Sequence, residues 1–172
     1  SQGHIGRAKW LATNPDAVTR RLDGVRLALG VRDVGGAMAG AATLVEWATE
    51  QAQAQAVGRD ELEEAQLSAA LGVGGTGRGA PSGSAKALKE LEKEQKSRTT
   101  RATRDCLDMA LLDIATAYRD IITLQLNSDS ELINEDLRSE ISALAQSSKP
   151  ASMLKRWEAV MATRRTLNFN VA

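Results

Sequence analysis

The chain has 172 residues, with 22 lysines and arginines against 22 aspartates and glutamates, so no net charge steers it toward nucleic acid or an anionic membrane. Aromatic residues make up only 3%, which favours helix over sheet, and the single cysteine excludes an internal disulfide and points to an intracellular, cytoplasmic compartment. No apolar run approaches the ~20 residues of a membrane span, and the opening SQGHIGRAKW lacks the layout of a secretion signal.

In chain order, a short amphipathic piece runs from about His4 to Ala12. Thr13-Asn14-Pro15-Asp16 then reads as a stop and a new start, with Asn14 as cap, Pro15 at the first helical position and Asp16 in the first turn. This second helix is expected to end near Gly30. Asp33 is placed to cap a third, carrying Met38, Leu44, Val45, Trp47 and Ala48, in which Gly36 and Gly40 let two core helices approach closely. Gly58-Arg59-Asp60 predicts a kink or an end, with Asp60 able to cap a continuation through Leu62, Leu67 and Leu71. From residue 72 to 84, GVGGTGRGAPSGS reads as a flexible linker dividing the chain into halves. It lacks the Lys-Ser/Thr pair and the preceding strand of a phosphate-binding loop.

Lys86 to Leu126 predicts one long helix, roughly 60 Å if straight, that changes character along its length. Up to Arg104 it is charged and solvated, with Glu94 four residues before Arg98 and Glu92 four before Lys96, and only Ala87, Leu88, Leu91 and Ala102 as an apolar stripe. From Cys106 onward it is so apolar that it must be covered on more than one side. Asn127 to Glu131 is a polar break, and Asn134 is expected to cap a helix with Leu137, Ile141, Leu144 and Ala145 on one face. Ser147-Ser148-Lys149-Pro150 ends it, and a last helix from about Ser152 carries Leu154, Trp157, Val160, Met161, Arg164 and Leu167. The expected fold class is all-α: a helical bundle with one long central helix.

A search for catalytic chemistry returns little. His4 has no cysteine or second histidine near it to complete a zinc site. Glu131, Glu135 and Asp136 are what the first turn of a helix normally carries. Cys106 reads as a packed thiol. No catalytic residue, cofactor or metal is therefore expected, and the chain by itself is not expected to be an enzyme. Lys86, Lys89, Lys93, Lys96, Arg101 and Arg104 share a broad sector that suits a phosphate backbone, but the interleaved Glu90, Glu92 and Glu94 fit a solvated, ion-paired helix better. Arg119-Asp120 is a charge pair inside the apolar segment, and such a pair belongs at a junction between helices or between subunits.

The segment LLDIATAYRDIITLQLNSDSELINEDL resembles the helical C-terminal domain of the delta-prime subunits of bacterial DNA polymerase III clamp loaders. The likeness rests on Tyr118-Arg119-Asp120, a short polar loop, and an Ile-Asn-x-Asp-Leu helix start at Ile133, Asn134, Asp136 and Leu137. Gly3, Gly6, Arg7 and Ala8 resemble the family's Gly-x-x-Gly-Arg-Ala at the last helix of the ATPase lid. Arg164, Leu167, Asn170 and Val171 resemble the Arg-x-x-Leu-x-x-Asn-Val that precedes a final collar helix, which the family would place after Ala172. KALKELEKEQKSR and the glycine-rich insertion before it resemble the actinobacterial branch.

The resemblance implies residues 1–13 as a remnant of the AAA+ lid and 14–172 as a collar domain, the module through which five subunits form the pentamer that loads the sliding clamp on primed DNA. The implied partners are the delta and gamma or tau subunits through their C-terminal domains, with clamp and DNA met only through the whole complex and no membrane. The implied subunit-interface residues are Tyr118, Arg119, Asp120, Trp157 and Arg164. Gly6 stands where related motor subunits carry a phosphate-sensing arginine, as suits a subunit that does not hydrolyse ATP. The alternatives are a nucleic-acid binding module using residues 86–104 and an independent helical scaffold.

Overall fold

A computed structural model describes residues 5–72 and 83–169. Its elements are α1 (Ile5–Thr13), α2 (Pro15–Gly30), α3 (Val34–Ala70), α4 (Ser84–Gln125), a short 3-10 turn (Glu135–Leu137), α5 (Arg138–Ser147) and α6 (Pro150–Phe169). Among the described residues there is no strand, so the fold is all-α. The residues up to Leu44 with those from Asp108 onward form one compact unit, and Val45–Leu107 forms a second. His4, Gly3, Asn170, Val171 and the bulk of the expected glycine-rich linker, 73–82, lie outside the described residues.

The core of the first unit is a set of helical stripes. Leu22, Val25 and Leu29 of α2 meet Ile114, Ala117, Tyr118 and Ile121 of α4, together with Leu137, Ile141 and Leu144 around α5 and Met153, Trp157 and Val160 of α6. Each set recurs at three- and four-residue steps, the spacing that keeps side chains on one helix face. Complete burial of a side chain such as Ile121 stabilises by about 1.5–3 kcal/mol. As the apolar composition predicts, α4 is covered all round here, with residues 113 to 118, 120 and 121 buried. On α6 Trp157 and Val160 pack as expected, but the stripe starts from Met153, 2% exposed, and not from Leu154, 46% exposed. The helix begins at Pro150, not Ser152, because a proline at the first position loses no helical hydrogen bond.

Helix ends follow local chemistry. The Asp33 carboxylate accepts the Gly36 N–H at 2.7 Å and caps α3. Gly36 therefore belongs to the cap, whereas Gly40 supplies the close approach: a Cβ there would sit 3.3 Å from Leu27 Cδ2 of α2. At the end of α4, Asn127 takes the left-handed φ of 50°. Its N–H donates to Leu124 O and that of Ser128 to Thr123 O, at 3.2 and 3.1 Å, closing a Schellman motif. Asn14 and Asn134 both sit at N-cap positions, yet neither makes a side-chain cap hydrogen bond. At Asn14 the carbonyl, not the side chain, receives the first helical N–H groups.

The second unit is built from the later part of α3 and the early part of α4. Ala48, Ala52 and Ala56 are buried at four-residue steps on α3, small enough to let a neighbouring backbone approach. The helix runs unbroken through Gly58-Arg59-Asp60, where the sequence allowed a kink or an end. Glu63 and Asp60 explain why: Arg98 donates Nη1 to Glu63 Oε1 at 3.0 Å and also pairs through Nη2 with Glu63 Oε2 and, at 3.4 Å, with Asp60 Oδ1. Gln95 adds a bond to Asp60 O at 3.0 Å. Arg98 thus engages α3, where the sequence suggested a pairing along its own helix with Glu94.

Candidate functional site

The residues with the most elaborate chemistry form a polar network inside the first unit, around Asp120. Asp120 is 0% exposed on the buried face of α4, where an isolated carboxylate would be severely penalised. It is instead fully engaged. Its oxygens accept the Ile133 N–H at 3.0 and 3.1 Å, the Asn134 N–H at 2.8 Å and the Asn134 side-chain Nδ2–H at 2.8 Å. Arg119 donates Nη1 to Asp120 Oδ1 at 2.8 Å and to Glu131 O at 2.7 Å. The carboxylate therefore pins the loop after α4 back onto the helix and orients the start of the 3-10 turn.

Asn134, also 0% exposed, carries the network onward. Its Nδ2 donates to Thr116 Oγ1 at 3.1 Å, and Thr116 in turn donates to Asp113 O at 2.7 Å. Its Oδ1 accepts from Arg21 Nη2 of α2. The Arg21 guanidinium lies between Asp136, at 3.1 Å, and Asp113, at 3.5 Å. This explains the inward Asn134: its amide alone offers both a donor for Asp120 and an acceptor for Arg21, a link that capping would forfeit. Beside the network, a cavity of about 360 Å³ is lined by Leu11, Val18, Ile133 and the carboxylates of Asp113, Glu135 and Asp136. Among the described residues no group of three or more histidines, cysteines or carboxylates is placed to hold a metal ion.

The five residues expected at a subunit interface are thus placed differently. Tyr118 is 4% exposed and its hydroxyl donates to Ala28 O at 3.1 Å, joining α4 to α2. Tyr118 and Asp120 are buried within their own chain, where their polar atoms find partners. Arg119 keeps 38% of its side chain exposed. Arg164 binds Asp108 in a two-bond fork, Nε to Oδ1 at 2.9 Å and Nη2 to Oδ2 at 2.7 Å, fastening α6 to α4. Trp157 is half-buried against the core. Sequence reasoning missed Arg21, Thr116 and the inward Asn134, since nothing periodic links α2 to a loop more than a hundred residues later.

Elsewhere, burial pushes the Cys106 thiol up from its ordinary value, with the neighbouring Asp105 charge adding to it, as befits a half-buried packing thiol. Lys86, Lys89, Lys93 and Lys96 are exposed, and so are Glu90, Glu92 and Glu94 between them. No helix among the described residues is long and apolar enough to cross a membrane.

No curated protein and no solved structure matches the chain. Residues 101–171, the stretch holding Arg119, Asp120, Asn134 and the Arg164–Asp108 fork, match the family model described as DNA polymerase III, delta subunit, C terminal, a clamp-loader collar-type domain.

Proposed function

We propose that the chain is a non-catalytic collar domain of a cytoplasmic clamp loader, of the delta-prime type and the actinobacterial branch, which joins the pentamer that opens the sliding clamp and loads it on primed DNA. Its first 13 residues are then a remnant of the ATPase lid and its partners are the C-terminal domains of delta and of gamma or tau. One observation carries the reading: the Tyr-Arg-Asp and Ile-Asn-x-Asp-Leu pieces are joined by the Asp120 to Asn134 hydrogen bonds, and both fall within the family match at 101–171. A motif of this kind shapes a scaffold. It presents no nucleophile, base or phosphate cradle to a substrate, which fits a domain whose task is assembly. Of the interface residues named from the sequence, Arg119 and Trp157 retain surface for such contacts.

The test is association. The full chain, mixed with purified delta and gamma or tau subunits at tens of micromolar, is expected to co-elute in size-exclusion chromatography. Failure to associate with either would leave the independent helical scaffold as the better account.

A further inference from the structure

The first unit carries an open groove of about 420 Å³ between α2, the first turns of α3, and α6, walled by Leu27, Val31, Ala37, Gly40, Ala41 and Val160. The apolar surface continues outward: Val34 is 76% exposed and Met38 71%. Val34, Met38 and Ala41 recur at four and three residues, an apolar seam along a helix that already meets α2 through Gly40. This is the pattern of a surface that receives another helix.

The charge at one end narrows the occupant. Arg32 and Arg156 line the groove where α2 finishes and α3 begins. Each is held by one nitrogen, Arg32 Nη1 donating to Leu29 O at 3.0 Å and Arg156 Nη1 to Val31 O at 3.3 Å. A guanidinium has five donors, so further N–H groups remain on each. The groove's one carboxylate, Asp33, is turned to the Gly36 N–H. The cavity is therefore apolar along its walls and cationic at one end, which a nucleic-acid backbone would not match along its length.

Resting on the clamp-loader reading above, we propose that this groove docks an apolar helix of a neighbouring clamp-loader subunit, with a carboxylate of that helix set against Arg32 and Arg156. The experiment has two arms. In the first, the full chain is titrated with a synthetic amphipathic helix bearing leucines at i, i+4 and i+7 and a glutamate one turn further on, and with the same peptide carrying lysine in its place. The glutamate peptide is expected to bind more tightly, Arg32→Glu to reverse that preference, and Val34→Glu to weaken both by about tenfold or more. Val34 lines the groove and is exposed, so its substitution is expected to leave the melting temperature unchanged. In the second arm, Val34→Glu is assayed for co-elution with the delta and gamma or tau subunits. Co-elution of wild type and variant alike would overturn the groove proposal while leaving the collar reading in place. Peptide binding lost in Val34→Glu, with no subunit bound by the wild type, would sustain the groove and overturn the collar reading. Peptides that bind equally whatever their charge and whatever stands at position 34 would overturn the proposal outright.

Discussion

At the scale of single residues, the decisive asymmetry is between Asp120 and its neighbour Arg119. Read from the sequence, the two form a charge pair inside the apolar segment of α4. The structure separates them: Asp120 is fully buried and holds three N–H donors from the loop besides Arg119, which is more than a third exposed. Asp120→Ala strips those donors of their acceptor and is expected to destabilise the fold by about 3–5 kcal/mol. Arg119→Ala leaves the carboxylate with its loop donors and is expected to cost only about 1 kcal/mol. Urea denaturation of the two variants checks this, and equal losses would contradict the division of labour drawn here.

The same scale shows what a sequence can and cannot disclose. Tyr118-Arg119-Asp120 and Ile133-Asn134 stand out as motifs in the sequence, and the apolar character of α4 foretells its burial. That Asp120 binds Asn134, and Asn134 binds Arg21, is invisible there, because a loop's return path has no period and a side chain at a cap position has two uses. A charge pair inside an apolar segment, such as Arg119-Asp120, does not disclose whether its groups are satisfied inside their own chain or meet a partner. The groove beside Val34 was equally hidden, since spacing alone does not show which apolar positions of α3 stay uncovered.

At the scale of elements, two glycines give opposite predictions. Gly58 lies in the uninterrupted interior of α3, and a Cβ there would meet nothing within 4 Å. Gly58→Ala is expected to stabilise by about 0.5–1 kcal/mol, by helix propensity and a less free unfolded chain. Gly72 has φ of 65° where α3 ends, and its N–H donates to Ala69 O. Gly72→Ala forces a side chain into the left-handed region and is expected to destabilise by about 1 kcal/mol. Thermal melts of the pair carry the test, and the same sign in both would refute it.

The contact between α3 and α4 in the second unit makes a prediction about pH. The hydrogen bond from Arg98 holds the Glu63 carboxyl below its ordinary value of 4.5, against the opposing effect of burial, with Gln95 and Arg59 assisting. A carboxylate depressed in the folded state contributes stability in full above its unfolded value and loses it as the pH falls through the folded one. Hydrogen exchange at amides of residues 56–66 and 91–102 is therefore expected to quicken, after correction for intrinsic rates, on acidification below about 4.5. In Arg98→Leu, Asp60 and Glu63 keep Arg59 as a cation but lose the bond that does most to hold Glu63 down, so the loss of protection over the same range is expected to be smaller. A local readout is needed because Glu135 and Glu140, in the other unit, are also depressed, by Arg138 and chiefly by Ser139 respectively. Protection that responds to acid identically in both proteins would rule this out.

At the scale of the whole molecule, the balance of charge decides between an assembly domain and a nucleic-acid binder. Twenty-two cations face twenty-two anions, and the lysines of α4 alternate with glutamates that are equally exposed. Phosphate binding gains its strength from released counterions, and each contact made beside a carboxylate releases fewer. Arg98, on the same stretch of α4, is committed to Glu63 and Asp60. The full chain is therefore expected to bind duplex DNA no more tightly than the weak end of non-specific association, about 10⁻⁴ M at physiological salt, with a shallow dependence on salt. Fluorescence anisotropy with a labelled duplex across a salt series measures both quantities. Micromolar binding with a steep salt slope, lost on replacing Lys89 and Lys93 by glutamate, would move the function of this chain from the collar to the DNA itself.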